Sequence, residues 1–235
     1  MKIVAIETAT PASSIAIGED GALLGMSVNV DRRGHVGFLV PAIDFALSKA
    51  GWKPRDIELV AVDVGPGPFT GLRAGIATAQ ALAAAIGAPM VTTSSLTVIA
   101  LRAATGRRRI WPVVDMRRGQ FAVGPYRPLP GGVAPDGPPE VIHPEDFKAL
   151  LESEGSDSLV VGDWQSLPDS MWTGLHRVRR GRPRYPSAET VLEIAAMKAR
   201  KGDVTEADDV RPFYMREPDV DINWTAFRSE GAWPE

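Results

Sequence analysis

The chain opens with residues 2–30, KIVAIETATPASSIAIGEDGALLGMSVNV, and this stretch decides the fold. Residues 2–6, 13–17 and 22–30 are rich in aliphatic and β-branched side chains, which is typical of strands. Residues 19–21 read Glu-Asp-Gly, and Asp-Gly between two strand-like runs is a strong hairpin signal. The sequence therefore predicts three consecutive strands joined by two turns.

Downstream of these strands, helical and strand patterns alternate. Apolar residues at helical spacing predict helices over 36–50, 70–86 and 95–104. Short apolar runs predict strands at 59–64 and 88–92. The order β-β-β-α-β-α-β-α predicts a mixed sheet with helices on both faces. This order resembles the ribonuclease-H-like core of the actin, Hsp70 and sugar kinase (ASKHA) superfamily.

The second half of the chain carries a weaker form of the same pattern. The elements predicted there are strands at 110–115, 120–126 and 158–162 and helices at 143–152 and 187–201. The predicted fold class is therefore α/β, with two ribonuclease-H-like lobes over 1–105 and 106–235 and a cleft between them. Whether the last helix packs back on the first lobe stays open.

One segment of the second half is dominated by glycine and proline. Residues 124–139 read GPYRPLPGGVAPDGPP, in which ten of sixteen residues are Gly or Pro. Such a run does not hold a helix or a central strand, because proline lacks an N–H and glycine weakens both elements. The sequence predicts an exposed loop here.

Composition excludes several classes of protein. The formal net charge is −3, which argues against a surface that binds nucleic acid all over. Residues 1–105 are neutral, so residues 106–235 carry this charge. Cysteine is absent, which excludes disulfides, thiolate zinc sites and cysteine nucleophiles.

No signal for a membrane or for a helical metal site is present in the sequence. The first residues lack the long apolar core of a signal peptide, and no apolar run approaches the ~18 residues of a membrane span, so we expect a cytoplasmic protein. His35, His143 and His176 form no pair three or four residues apart, so no metal site of that kind is expected.

Residues 64–81, VGPGPFTGLRAGIATAQA, form the most informative motif. A strand ends, a Gly/Pro turn follows and a helix begins, and a helix N-terminus favours anions. The spacing fits neither GxGxxG nor a P-loop, and prolines in the turn lack N–H donors. The motif therefore has two interpretations, a nucleotide-contacting turn or a rigid strand-to-helix corner. The candidate residues of this turn and of the opening turn are Glu7, Thr8, Thr10, Gly67, Thr70 and Gly71.

Small residues recur along the helix that follows this turn. Gly71, Gly75, Ala79 and Ala83 are spaced at i, i+4 and so share one narrow face. Small side chains let a second helix approach closely, which favours a partner interface. The alternative is that this face packs on the chain's own sheet.

Five arginines lie within eight residues, at positions 177, 179, 180, 182 and 184. Guanidinium groups on a loop suit contacts to phosphate groups, which position a nucleic acid without reading its sequence. The alternative is a solvated loop that is balanced by the surplus of acidic residues. Whether residues 177–184 contact a nucleic acid is left open by the sequence.

Several blocks of the sequence resemble the TsaB (YeaZ) family. They are residues 3–10 (IVAIETAT), 33–43 (RGHVGFLVPAI), 65–75 (GPGPFTGLRAG), 114–119 (VDMRRG) and 211–215 (RPFYM). The block 65–75 is the most specific of these. The resemblance implies a non-catalytic subunit of the bacterial complex that forms N6-threonylcarbamoyladenosine at position 37 of tRNA.

The resemblance also implies partners. A TsaD-like catalytic subunit would pair with the first lobe and enable recruitment of a TsaE-like ATPase, and a homodimer would form when the partner is missing. The expected interface residues are His35, Leu39, Ile43, Leu72, Gly75, Ala79 and Ala83. We expect no metal and no cofactor on the isolated chain, ATP or ADP with magnesium only at the interface of the complex, and indirect or weak contact with tRNA.

An alternative function is a small-molecule kinase or ATPase of the same superfamily. This function needs an aspartate followed by a Gly-rich phosphate turn at the start of the second lobe. Residues 115–119 read Asp-Met-Arg-Arg-Gly, which supplies the aspartate but places two bulky arginines in the turn. The motif therefore favours the non-catalytic subunit.

Overall fold

The computed structural model describes residues 1–31 and 34–215. The first sheet has five strands in the order β3-β2-β1-β4-β5. Their bounds are β1 (Lys2–Glu7), β2 (Ala12–Glu19), β3 (Ala22–Val30), β4 (Leu59–Asp63) and β5 (Met90–Thr93). The first three strands pair antiparallel, and β4 and β5 are parallel to β1, which confirms the predicted mixed sheet.

Three helices belong to the same part of the chain: α1 (His35–Ala50), α2 (Phe69–Ile86) and α3 (Ser95–Arg102). Helices α1 and α2 pack on one face of the first sheet, where their apolar residues share one core with β1, β2 and β4. Helix α2 is followed by Gly87, whose φ of 70° is the left-handed conformation common for a glycine at the end of a helix. Arg33, in one of the TsaB-like blocks, lies outside the described residues.

Helix α2 is long and apolar enough to cross a membrane by length and composition alone. Its buried residues, however, lie in the core that covers the first sheet. Helix α2 is therefore packed as the core helix of a globular lobe.

The second sheet follows β5 and α3 along the chain. Its main path runs in the order β10-β7-β6-β11-β12, and β8 and β9 attach beside β6. The bounds are β6 (Arg109–Asp115), β7 (Phe121–Val123), β8 (Tyr126–Leu129), β9 (Gly132–Pro135), β10 (Glu140–Ile142), β11 (Ser158–Gly162) and β12 (Val178–Arg180). Helix α4 (Pro144–Glu154) packs on one face, burying Phe147 and Leu151, and α3 contributes to the core on the other.

The prediction of an exposed loop over 124–139 was wrong. Strands β8 and β9 form a hairpin there, with Tyr126 opposite Pro135 and Leu129 opposite Gly132. Tyr126 is buried, and its hydroxyl lies 2.9 Å from Thr97 Oγ1 on α3. The prolines are tolerated because this hairpin is attached to the main sheet at one residue pair only, so few ladder hydrogen bonds are needed.

The last helix, α5 (Ala188–Arg200), packs on the first sheet. Its apolar residues share a core with β1, β4 and β5 on the face opposite to α1 and α2. Ser187, the residue before the helix, and Ser14 lie at this junction, where the Ala188 N–H donates a 2.9 Å hydrogen bond to Ser14 Oγ. The first sheet therefore has helices on both faces, while the domain boundary at 105/106 stays a prediction.

Candidate functional site

Two turns, one after β1 and one after β4, lie with their backbones in contact. A Cβ atom on Gly67 would lie 2.0 Å from the carbonyl oxygen of Ala9, and one on Gly71 would lie 2.4 Å from that of Thr8. These distances leave no room for a side chain, so the close approach requires glycine at both positions. The Thr8 hydroxyl donates a 2.8 Å hydrogen bond to the Gly71 carbonyl oxygen.

This contact bears on the two interpretations of the Gly/Pro turn. The turn after β1 contacts Gly67 and Gly71 through Thr8 and Ala9, and Glu7 and Thr10 are buried in the same turn. Thr70, the sixth predicted residue, is exposed. Gly67 and Gly71 face carbonyl oxygens, which repel phosphate oxygens, and Pro66 and Pro68 carry no N–H. The geometry favours the rigid corner over a phosphate cradle.

Two carboxyl groups are fully buried beside this corner. Glu7 and Asp63 are the last residues of the adjacent strands β1 and β4. The Ala9 N–H donates to Glu7 Oε1 at 2.6 Å. The Gly65 N–H and the Ser95 hydroxyl donate to Asp63 Oδ1 at 2.8 and 2.9 Å. Glu7 Oε2 and Asp63 Oδ2 have no hydrogen-bond partner among the described residues.

Burial changes the protonation of this pair. It raises the pKa of Asp63 to about 7. Burial, together with the charge of Asp63, raises the pKa of Glu7 well above its usual range. A carboxyl group with a raised pKa keeps its proton to a higher pH than a solvent-exposed carboxyl group does.

The second lobe places two further acids at the ends of β6 and β11. The Asp115 N–H donates to Asp163 Oδ2 at 3.2 Å, and the Arg117 N–H donates to Asp115 Oδ1 at 2.7 Å. Burial, with a smaller contribution from Asp115, raises the pKa of Asp163 to about 6. Arg117 and Arg118 adopt φ of 69° and 56°, so two bulky residues hold the left-handed positions of the turn. This turn does not have the small residues that the kinase alternative requires.

A metal site requires several ligating side chains close together. Across residues 1–31 and 34–215, no three His, Asp or Glu side chains are grouped so that they could hold a metal ion. Beside Gly67 the Ala9 backbone of the chain itself occupies the space that a ligand would need.

The residues expected at a partner interface lie on the buried faces of α1 and α2. All seven predicted residues are buried within this chain: His35, Leu39, Ile43, Leu72, Gly75, Ala79 and Ala83. A Cβ on Gly75 would lie 2.1 Å from Thr8 Oγ1, and Ala79 is 0% exposed. The small residues of the stripe let α2 approach the strands and the Thr8 turn closely. The alternative interpretation, in which this face packs on the chain's own sheet, is therefore the correct one.

His35 has a structural environment. It is the first residue of α1, and its Nδ1 is hydrogen-bonded to the Ser13 hydroxyl. Burial lowers its pKa, which favours the neutral imidazole.

The exposed faces of α1 and α2 form a different surface. On α1, Val36, Val40 and Phe45 are 73%, 63% and 58% exposed. On α2 the exposed stripe is Arg73, Ala77, Ala81 and Ala84. Both helices pack side by side on the same face of the sheet, so the sides that point away from the core are exposed to solvent. We call these seven residues the outer surface.

Sequence reasoning missed the role of the segment after α5. The Arg73 guanidinium lies over the Phe69 ring at 3.8 Å, and its Nε donates to the Tyr214 hydroxyl at 3.0 Å. The Tyr214 and Phe69 rings stack with centroids 4.4 Å apart. The Phe213 N–H also donates to the Val64 carbonyl oxygen at 2.8 Å. Residues 211–215 therefore pack against the start of α2. The sequence does not reveal this contact, because Phe69 and Tyr214 are 145 residues apart and no local pattern links them.

Comparisons with known proteins agree with this architecture. The family model described as TsaD, tRNA N6-adenosine threonylcarbamoyltransferase, matches residues 24–158. The Escherichia coli protein named tRNA threonylcarbamoyladenosine biosynthesis protein TsaB is 31% identical over 220 residues, which are 92% of this chain and 95% of that protein. The chain is a member of the TsaB family. It also belongs to the wider sequence family that the TsaD model describes.

Solved structures support the TsaB assignment and the fold. YeaZ from Pseudomonas aeruginosa superposes with a TM-score of 0.77 at 26% identity, covering 90% of this chain and all of that chain. The activator of 2-hydroxyisocaproyl-CoA dehydratase from Clostridium difficile matches with a TM-score of 0.50 at 12% identity over 91% of this chain and all of that chain, and shows the fold alone. The predicted ASKHA-type α/β fold is confirmed, and the TsaB relationship places the chain in the biosynthesis of threonylcarbamoyladenosine in tRNA.

Proposed function

We propose that this TsaB-family chain is a non-catalytic subunit that pairs with a TsaD-like catalytic subunit. The carrying observation is that α1 and α2, which pack against each other, both expose apolar residues, large ones on α1 and small ones on α2. Small residues let a partner helix approach closely, and the flanking apolar groups supply area to bury. The match to a TsaD family model over residues 24–158, which include both helices, supports a partner of related fold.

The chemistry of the turns after β1, β4 and β6 supports a non-catalytic role. Glu7 and Asp63 are fully buried with raised pKa values, and the turn beside them is filled by the chain's own backbone. The turn after β6 carries Arg117 and Arg118 in place of small residues. We infer that any nucleotide with magnesium in the complex is held mainly by the partner's residues.

In this proposal the chain acts by assembling with its catalytic partner. Pairing through the outer surface would create the composite surface to which a TsaE-like ATPase is recruited, in the cytoplasm, where tRNA is modified. When the partner is missing, a second copy of this chain would cover the same surface as a homodimer.

The proposal is tested by measuring assembly with the TsaD-like subunit encoded in the same genome. Ala81→Arg places a long charged side chain in the centre of the outer surface. We expect Kd to rise at least ten-fold, which is about 1.4 kcal/mol, while the melting temperature stays within ~2 °C of the parent because Ala81 is exposed.

The matched control is Ala149→Arg, which makes the same change at an exposed position of α4 in the second lobe. This variant should bind the partner like the parent. Equal binding by Ala81→Arg and the parent chain would contradict the proposed interface.

A further inference from the structure

A large groove runs between the edge strand β3 and the segment 180–186 that leads into α5. It encloses about 1050 Å³, more than the roughly 300–1,000 Å³ of typical small-molecule pockets. This size favours an extended occupant over a single small molecule. The groove lies on the α5 side of the first sheet, away from the outer surface.

The groove is strongly basic although the chain is acidic overall. Its lining includes four arginines and no acidic residue: Arg102, Arg180, Arg182 and Arg184. All four are exposed, and none forms an ion pair within residues 1–31 and 34–215. Asp163 and Glu193 feel the charges of Arg184 and Arg102, but neither lines the groove. Guanidinium groups arranged in this way match the phosphates of a polyanion.

Aromatic rings lie beside these charges. The Arg180 guanidinium lies 5.1 Å from the Trp164 ring centre and 5.0 Å from that of Trp172. Arg184 lies 4.9 Å from the Tyr185 ring centre. The Trp164 indole N–H donates to the Gly181 carbonyl oxygen at 2.9 Å, which fixes the ring at the groove. Unpaired nucleobases stack on aromatic rings and on guanidinium planes of this kind.

The opposite wall of the groove is apolar. Met26 and Val28 of β3 point to the α5 side of the sheet and are 42% and 54% exposed. An acidic peptide would use the arginines but would leave the aromatic rings without a matching planar group. A single strand of RNA uses all three features, because its phosphates, base faces and sugars suit the arginines, the rings and the apolar wall.

We propose that this groove binds single-stranded RNA, with phosphates on Arg102, Arg182 and Arg184 and bases stacked beside Trp164 and Tyr185. The inference deepens the proposed function, and it rests on that function only for the source of the RNA, an unpaired loop of tRNA. It replaces the expectation of indirect or weak tRNA contact with a direct site on this chain.

The test is fluorescence anisotropy of the full chain with a labelled ten-nucleotide single-stranded RNA of mixed sequence at several salt concentrations. The double variant Arg182→Ala/Arg184→Ala should bind at least ten-fold more weakly. The slope of log affinity against log salt concentration should be smaller in magnitude by about 1.4, because each neutralised phosphate of a single strand contributes about 0.7 to that slope. Trp164→Leu should weaken binding by roughly five-fold or more.

The matched control is Lys53→Ala/Arg55→Ala, which removes two exposed positive charges from the segment after α1. This variant should bind RNA like the parent. Because Arg182 and Arg184 are exposed, their double variant should keep the melting temperature of the parent. If Trp164→Leu fails to fold, the arginine variant alone still tests the proposal.

Three results would overturn the inference. They are RNA binding that the arginine double variant does not weaken, equal or tighter binding of a duplex of the same length, and displacement of the RNA by ATP or by an acidic peptide at micromolar concentration. Partner assembly is measured separately and should be unchanged in the groove variants. Failure of the groove is thereby distinguished from failure of the proposed function.

Discussion

The contact between α2 and the Thr8 turn gives a prediction whose size follows from the structure. In Gly75→Ala the new Cβ would lie 2.1 Å from Thr8 Oγ1, so the hydroxyl must rotate and release the Gly71 carbonyl oxygen. Overpacking costs about 1–3 kcal/mol and the hydrogen bond about 1 kcal/mol, while alanine in a helix recovers about 1 kcal/mol. The net loss in the free energy of unfolding is about 1–3 kcal/mol, or roughly 2–12 °C in melting temperature for a chain of this size.

Gly71→Ala should cost more than Gly75→Ala. Its Cβ would lie 2.4 Å from the carbonyl oxygen of Thr8, which is backbone and cannot rotate away. Thr8→Ala removes the hydroxyl and should therefore rescue Gly75→Ala but not Gly71→Ala, with a coupling energy of about 1–2 kcal/mol in a double-mutant cycle. The assay is urea denaturation followed by circular dichroism.

The matched control is Gly37→Ala on the exposed side of α1, where a Cβ would meet no atom within 4 Å. It should leave the free energy of unfolding unchanged or raise it by up to about 1 kcal/mol. If Gly75→Ala is as stable as the parent, or if Thr8→Ala fails to rescue it, the reasoning about this contact is refuted.

Two further predictions concern the core and the buried carboxyl groups. Ala79→Leu, at a position with no exposed surface, should lower the free energy of unfolding by about 1–3 kcal/mol, and an unchanged thermal melt would contradict the internal packing of the stripe. Asp63 has a folded-state pKa of about 7 against ~3.9 unfolded, so the folded chain binds the extra proton and loses stability as pH rises from about 4 to 7. Asp63→Asn removes this loss and keeps an oxygen acceptor for the Gly65 N–H and the Ser95 hydroxyl. The free energy of unfolding of the variant, relative to that of the parent, should therefore rise by up to about 4 kcal/mol between pH 4 and pH 8. A difference that urea denaturation shows to be independent of pH would contradict this prediction.

The order of elements could be predicted because the signals are local. The Asp-Gly turn at residues 20 and 21 and the left-handed Gly87 mark the ends of elements by their own conformational preferences. The hairpin of β8 and β9 was missed because it depends on the burial of Tyr126 against α3, which Gly and Pro content does not reveal.

The faces of the helices were harder to assign. Gly71, Gly75 and Ala79 suggested a partner surface, but the large residues Leu72 and Ile76 lie beside them and mark the buried side of α2. Arg73 follows Gly71 by two residues, which is a rotation of about 200° around the helix. The exposed stripe that begins at Arg73 therefore lies on the side of α2 opposite to the stripe that begins at Gly71. Small residues show only that something approaches closely, and the neighbouring large apolar residues show whether it is the chain's own core.

The raised pKa of Asp63 was also beyond the sequence. It depends on the burial of the adjacent ends of β1 and β4 beneath a turn whose glycines contact the Thr8 and Ala9 backbone. The sequence placed Glu7 in the turn after the first strand, but it gave no sign that Asp63 lies beside it.

The central claim is that the chain supports tRNA modification through a partner bound at the outer surface. The most direct measurement is mass spectrometry of threonylcarbamoyladenosine in tRNA from cells whose only copy of this gene carries Ala81→Arg, beside cells that carry Ala149→Arg. We predict that the modification falls at least ten-fold in the first strain and stays at the parental level in the second, with equal amounts of the chain in both. Parental levels of threonylcarbamoyladenosine in the Ala81→Arg strain would contradict the account.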